Sequence, residues 1–466
     1  MHSLNPVPRV AVLGAGITGL TAAWHLERAG LRAVVFERSP RVGGAIGTHR
    51  QDGWLHELGP NSMLEGAASV ATFITGLGLG PRRVYASPVA QNRYIVRGGK
   101  LVAMPTSPGR FITTPLFSLG AKLALLGEPF RARGAADAEE SVAEFVVRRL
   151  GREFLDYAVN PFVGGVYAGD PKRLSVRHGF PKLRALEQEH GSLIRGAIAR
   201  RNTSGGPKGS MFSFPNGLEE LPLALAAQLG EPVRTSTQIR AIRRRDEVWE
   251  IAFTGRDGAD QTELFSAVVC ALPADALAGL PFDGVPSAAR LTELRAIEHP
   301  PVVSVFTGYR RENVAHPLDG FGALMPEVEK GGILGTLFSS TLFPGRAPEG
   351  HVALTSFVGG TRQPELAQLD DPALLNVVRQ ELGRLVGAKG EPAYVHLQRW
   401  PRAIPQYTLG YGRFKDVIAA AEAGAPGLFI GGNCRDGISL ANCIDAGHRL
   451  AAAAQGGALR TLHAPA

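Results

Sequence analysis

The sequence predicts an α/β chain in which an open, mostly parallel sheet is built from the two ends of the chain, with a mixed-sheet region and a helical region inserted between them. Three observations predict it. A strand, glycine turn, helix and second strand open the chain over residues 10–37. A strand, turn and helix close it over 427–454. Between them the texture turns helical near Pro108 and returns to strand-like near Phe212. The 466 residues are roughly three times the common domain size of about 150 residues, so two or three structural units are expected.

In chain order, 10–13 reads as a short buried strand, 20–29 as a helix and 33–37 as the second strand of a β-α-β unit. Residues 93–97 and 101–104 read as a hairpin across Gly98-Gly99, with Arg93, Ile95 and Arg97 on one face because strand periodicity is two. Helical patterns follow at 116–126, 141–150 and 181–201, with Leu116, Leu123 and Phe130 expected on an exposed face suited to peripheral membrane contact. Residues 239–242 and 248–253 alternate like strands, and 267–272 is a continuous apolar run, as in a buried parallel strand. Antiparallel strands of a second sheet are expected at 301–309, 332–337 and 351–358, then a strand at 427–430 and a helix at 442–454. The chain thus divides into one domain of 1–88, 212–283 and 402–466, a second of 89–107 and 284–401, and a helical subdomain of 108–211.

Composition narrows the function classes. With 44% hydrophobic and 20% charged residues the chain is globular, which excludes a disordered, collagenous or coiled-coil protein. The longest stretch without Asp, Glu, Lys or Arg is the 17 residues 10–26, broken by three glycines, whereas a membrane span needs about 20 mostly apolar residues. Cys270, Cys434 and Cys443 are too few for a disulfide scaffold and are not spaced for zinc. No charged n-region precedes an apolar stretch at the start, so a reducing, cytoplasmic location is expected. The net charge of +8 comes from scattered basic residues without interleaved aromatics, which does not support nucleic-acid binding. The histidines are scattered too, without metal-ligand spacing, and no Ser-His-Asp or Cys-His arrangement is evident.

The chemistry starts at Gly14-Ala15-Gly16-Ile17-Thr18-Gly19, which fits G-x-G-x-x-G. The first glycine permits the tight turn, the second lets backbone approach a pyrophosphate, and the third packs helix on strand. Glu37 closes the second strand, where a carboxylate accepts hydrogen bonds from the adenosine ribose. A dinucleotide site of Rossmann type follows. The run from Glu37 through Arg41 to Gly43 and Gly44 is similar to the E-x-x-x-R-x-G-G extension of the flavin-dependent amine oxidase and desaturase superfamily, which selects FAD. At the far end, Gly431-Gly432-Asn433 and the helix start after Gly437 aim a positive helix terminus at whatever precedes it.

Further segments resemble one family within that superfamily, the protoporphyrinogen and coproporphyrinogen oxidases. They are Glu57-Leu58-Gly59-Pro60-Asn61-Ser62, Gln91-Asn92-Arg93-Tyr94, Val166-Tyr167-Ala168-Gly169-Asp170, Gly320-Phe321-Gly322 and Ile404-Pro405-Gln406-Tyr407-Thr408-Leu409-Gly410. The resemblance implies a Rossmann-like FAD-binding domain, an inserted mixed-sheet substrate domain and a helical subdomain. It implies oxidation of protoporphyrinogen IX to protoporphyrin IX with molecular oxygen as acceptor, the alternative being coproporphyrinogen III to coproporphyrin III. Gly59, Pro60, Asn61 and Ser62 would pack on the flavin, Ile239 would meet the adenine, and Asn433, Ile438, Ser439 and Leu440 would line the ring. Arg93 or Arg97 would meet a substrate propionate, and Gly169, Phe321, Gly322, Leu324 and Phe357 would bracket the macrocycle. No catalytic side chain is expected, because the pyrroles stabilise the cation formed when a meso carbon loses hydride to the flavin. The exposed apolar residues of the helical region suit contact with the inner face of the cell membrane, the alternative being an ordinary subdomain packed on its own core, and a haem-pathway enzyme such as ferrochelatase is an expected partner. A carotenoid-type desaturase would have little use for Arg93, an amine oxidase would be expected to carry a Tyr in the aromatic-free segment 433–442, and a non-catalytic escort with this fold would not need the intact glycines and Glu37.

Overall fold

The structure is a computed structural model and describes residues 7–65, 68–135, 137–203 and 210–462. Four parallel strands form the central sheet, in the order Arg32–Phe36, Arg9–Leu13, Ala267–Cys270 and Leu428–Ile430. The ends of the chain therefore share one sheet. Successive residues of the first strand serve opposite faces, as the pleat requires. Val10 and Val12 pack with Leu20 and Leu26 of the helix Ile17–Arg28 and with Ile444 and Leu450 of the closing helix Leu440–Leu462. Ala11 and Leu13 pack instead with Trp249 and Ile251 of a second, four-stranded sheet and with Val417 and Ile418 of the helix Gly412–Ala423.

The largest sheet has seven strands, in the order Tyr394–Trp400, Val302–Arg310, His351–Gly359, Gly335–Leu337, Gly320–Leu324, Asn92–Arg97 and Lys100–Ala103. It is not wholly antiparallel: Asn92–Arg97 runs parallel to Gly320–Leu324. The helix Asp371–Val386 covers one face with Leu374, Val378 and Leu382 against Val303, Val305 and Val358. Tyr94 and Val96 join that cluster, whereas Ile95 turns to the helical region and packs with Phe117 and Phe145. The expected alternation along 93–97 holds.

Two expectations for the helical region are corrected. The predicted helix 181–201 is two helices, Pro181–His190 and Leu193–Thr203. Gly191 ends the first with φ +70° and Ser192 starts the second, its hydroxyl accepting from the Arg195 amide at 3.1 Å. Leu116, expected on the surface, is fully buried: the helix begins only at Leu119 behind an Ser118 cap, and the turn before it tucks Leu116 and Phe117 into the core. The region is pinned by a completely buried ion pair, Arg149 with Glu128. Glu128 also accepts from the Leu193 amide at 3.0 Å and from Ser192, which leaves its carboxyl below the ordinary range despite the opposing effect of burial.

Candidate active site

The glycine turn between the first strand and its helix is held from below. Gly14 adopts φ +98° and donates to the Phe36 carbonyl at 2.8 Å. A Cβ on Gly19 would lie 1.9 Å from the Gly14 carbonyl oxygen, so that glycine is required by packing alone. A Cβ on Gly16 would meet nothing within 4 Å, and the helix starting at Ile17 has no side-chain cap. Its first-turn amides, from Ile17 and Thr18 onward, thus sit at an uncapped positive terminus beside open space. This arrangement fits a pyrophosphate.

Glu37 lies beside the turn and is half-buried. Its two carboxylate oxygens accept from the amides of Ala15 and Ser39, each at 2.8 Å. Each oxygen retains a lone pair for a further donor, so Glu37 both shapes the loop and is available to ribose hydroxyls. The following loop is zipped to the first: Gly43 donates to Ala15 O at 2.8 Å, and a Cβ on Gly44 would press on the Gly16 Cα at 3.3 Å. Arg41 points inward to this loop. Its guanidinium donates to the carbonyls of Val42, Gly44 and Ile46 at 2.7–3.2 Å.

The segment with Pro60 and Ser62 is anchored on either side of Gly59. Glu57 is buried, accepts from the Thr48 hydroxyl at 2.6 Å and the Leu218 amide at 2.9 Å, and is pushed up in pKa by that burial. Trp400 donates to Leu58 O at 2.9 Å, Asn61 donates to Gly59 O at 3.0 Å, and Gly59 passes so near Ala45 that a Cβ would lie 2.2 Å from its carbonyl oxygen.

The C-terminal turn contains a residue whose role the sequence does not announce. The Tyr407 hydroxyl donates to Asn433 O at 2.5 Å and accepts from the Gly437 amide at 2.9 Å, so one side chain closes the loop 433–437. Burial first, then Tyr411, pushes its pKa well above the usual phenol range, and it stays a neutral hydroxyl. Asp436 accepts from the Gly432 amide at 2.8 Å and pairs with Arg449 at 2.8 Å. Ser439 accepts from the Asn442 amide at 3.1 Å and so caps the helix Leu440–Leu462. Ile438 packs with the helical-region cluster, and Leu440 and Ile239 pack against the two faces of the central sheet.

On the seven-stranded sheet, the expected substrate residues fall in two neighbouring rows. Arg93 is paired in register with Gly322, whose φ of +150° lies where a Cβ would strike Thr336 O at 2.2 Å. The register slips between Gly320 and Gly322, and Phe321 at the slip lies with its ring 5.6 Å from the Arg93 guanidinium. Two residues further along, on the same face, a row runs Ile95, Leu324, Gly335, Phe357 across four strands. Arg93 is exposed and forms no ion pair among the described residues. Arg97 is engaged: it pairs with Glu153 at 2.6 Å, donates to Leu116 O and lies 4.2 Å from the Tyr157 ring centre. Gly169 is buried, with room for no side chain because a Cβ would lie 2.4 Å from Gln406 Oε1.

Residues 17–455 match the family described as flavin containing amine oxidoreductase. The chain is 36% identical to the mitochondrial protoporphyrinogen oxidase of Nicotiana tabacum over 94% of this chain and 93% of that protein. It is 29% identical to the coproporphyrinogen III oxidase of Bacillus subtilis (strain 168), over 94% of this chain and 96% of that protein. Among solved structures, one from Exiguobacterium sp. 255-15, provisionally titled a protoporphyrinogen oxidase, superposes with a TM-score of 0.81 at 25% identity, covering 96% of this chain and 98% of that one.

Proposed function

This chain belongs to the flavin containing amine oxidoreductase family and, within it, to the protoporphyrinogen and coproporphyrinogen oxidases, and we propose that it oxidises protoporphyrinogen IX to protoporphyrin IX with molecular oxygen as the final acceptor. It is an FAD-dependent oxidoreductase. Bound FAD supplies the two-electron acceptor; the protein supplies placement.

The observation that carries the substrate reading is the pairing of an uncommitted arginine with an aromatic ring, Arg93 with Phe321. A guanidinium fork suits a propionate carboxylate, and the adjoining Leu324 and Phe357 offer apolar surface to a tetrapyrrole. Gly322 lets the neighbouring strand approach closely there, as a side chain, whose Cβ would lie 2.2 Å from Thr336 O, would not. The porphyrinogen's own pyrrole N–H gives up the proton as the meso carbon is oxidised. None of Arg93, Phe321, Leu324 and Phe357 is a base at neutral pH, which suits a reaction that needs none.

Protoporphyrinogen is favoured over coproporphyrinogen because the latter carries four propionates where the former carries two, and the second arginine of the hairpin is already neutralised by Glu153. Steady-state porphyrin formation from both substrates tests this. A kcat/KM at least tenfold higher for protoporphyrinogen supports the assignment, and the reverse order transfers it to coproporphyrinogen.

Peripheral membrane contact belongs to the same proposal. No helix among the described residues is long and apolar enough to cross a membrane. The helical region nevertheless presents Ile112, Leu119, Leu123, Leu126 and Phe130 to solvent, Phe130 at 84% exposure, with Arg195 beside it. That apolar patch with a cation at its edge suits an anionic lipid surface. Sedimentation with vesicles, lost in a Leu126→Glu/Phe130→Glu variant, is the expected result.

A further inference from the structure

Three histidines distant in sequence meet where the hairpin of Thr48–Gln51 and Trp54–Glu57 packs against the edge strand Tyr394–Trp400. His49 and His56 are direct partners across the hairpin and so project to one face. His396 arrives from the other side, on the outermost strand of the seven-stranded sheet. The ring centres are 4.3 Å apart for His56 and His396, 4.9 Å for His49 and His396, and 5.0 Å for His49 and His56. One ligand nitrogen from each lies within 4.8 Å of the other two.

The neighbours leave these nitrogens weakly satisfied. His49 Nε2 is 3.5 Å from Gln51 Oε1, and His56 Nε2 is 3.3 Å from the Tyr394 hydroxyl, both at the long limit for a hydrogen bond. No hydrogen bond to a ring nitrogen of His396 is formed among the described residues. No carboxylate forms an ion pair with any of the three among the described residues. Trp54, Phe306 and Tyr394 back the group with aromatic surface. Burial and the neighbouring imidazoles push the His56 pKa down to about 3, and burial then His49 lowers that of His396. The His56 and His396 rings are thus kept neutral, with lone pairs available at ordinary pH. Neutral imidazoles are the donors that zinc, cobalt, nickel and copper(II) prefer.

We propose that His49, His56 and His396 form a binding site for a divalent transition-metal ion of the zinc class, which clamps the N-terminal hairpin to the edge of the seven-stranded sheet. Nitrogens no more than 4.8 Å apart lie at most about 2.8 Å from a common centre, roughly 0.7 Å or less beyond a zinc–imidazole bond of about 2.0–2.1 Å. Binding would turn the rings inward to close that gap. The fourth position falls to water, the Tyr394 hydroxyl or Gln51 Oε1, which lie 3.5 Å from each other. His49 and His396 are only half-buried and Gln51 is exposed, so an ion can reach the site. The clamp sits close to the flavin-side segment, because Trp400 of the same edge strand donates to Leu58 O, two residues past His56.

The test uses untagged, flavin-loaded full-length protein stripped with chelator, then titrated with Zn2+ against a chromophoric competitor and with Co2+ followed by its d–d absorption. One equivalent should bind, and the Co2+ spectrum should have the intensity of a four- or five-coordinate nitrogen site. Zn2+ should raise the melting temperature of the parent protein. His49→Gln and His396→Gln should each weaken Zn2+ at least tenfold and abolish that shift. His448→Gln should leave uptake unchanged, since it removes only the separate pair in which His25 Nε2 lies 3.4 Å from His448 Nδ1. Absence of saturable uptake, or uptake unchanged in both His49→Gln and His396→Gln, overturns the proposal. If those variants do not fold, electron paramagnetic resonance of Cu2+ on the parent protein decides. Coupling to three imidazole nitrogens supports the site, and an oxygen-only signal overturns it.

Discussion

Replacing Arg93 by alanine separates substrate binding from folding more sharply than any other single change. Its guanidinium is exposed, has no anionic partner among the described residues and lies over the Phe321 ring at 5.6 Å from its centre. Removing it should cost the fold almost nothing. It should cost the substrate one charge-assisted pair, about 1.5–3 kcal/mol, so KM for protoporphyrinogen should rise roughly 10- to 100-fold. Flavin content and melting temperature should match the parent. Arg97→Ala is the internal contrast. It leaves Glu153 unpaired and strips a cation from Tyr157, so it should lower the melting temperature while KM changes little. Arg93→Lys should recover only part of the binding, because a point charge cannot supply the fork. The assay is the initial rate of porphyrin fluorescence over a substrate series. An unchanged KM in Arg93→Ala together with a raised KM in Arg97→Ala would refute the assignment of the anchor. No change in either would refute carboxylate recognition by this hairpin and favour a substrate without carboxylates.

Three further outcomes follow from the structure. Glu37→Ala removes the acceptor for Ala15 and Ser39 and the proposed acceptor for ribose hydroxyls; FAD should be held weaker by about 1.5–3 kcal/mol, measured as flavin retained on gel filtration, and full retention would contradict the role. Glu128→Ala removes the nearer of the two carboxylates beside the buried Arg149 and leaves only Glu187 at 3.5 Å, which should cost up to about 3–5 kcal/mol, while Glu128→Leu/Arg149→Met should recover most of it; urea unfolding of the two variants checks both. Burial first, then His448 and Arg28, holds the folded-state pKa of His25 at about 4 against an ordinary 6.5. The folded state therefore resists protonation there, and the resulting stability is complete above about pH 6.5 and lost as pH falls toward 4; His25→Phe should flatten the melting-temperature profile over that interval, and an identical slope would assign the loss elsewhere.

What the sequence makes legible is what local spacing encodes. The turn 14–19 can be read because strand, glycines and helix are contiguous, and the hairpin alternation at 93–97 because period two is visible within five residues. The pairing of Arg93 with Phe321 rests on a parallel contact between strands more than 200 residues apart, and only the motif resemblance placed both near substrate. The burial of Leu116 is not legible, because an apolar residue before a helix looks the same whether the turn faces solvent or core. The break at Gly191 depends on its left-handed backbone rather than on periodicity. Arg97 looks equivalent to Arg93 until Glu153 is found beside it. Tyr407 closes a loop that lies 26 residues further along the chain, and the three-histidine cluster joins positions 49, 56 and 396. Neither leaves a spacing signal.

The central claim, that an FAD-bearing oxidase takes its electrons from a porphyrinogen, is tested most directly by anaerobic mixing of the purified yellow protein with protoporphyrinogen IX in a stopped-flow spectrometer. Bleaching of the flavin absorption with matching growth of porphyrin fluorescence, at a rate no slower than turnover and followed by reoxidation when oxygen is admitted, is the predicted result. A flavin that stays oxidised under protoporphyrinogen and coproporphyrinogen alike would contradict it.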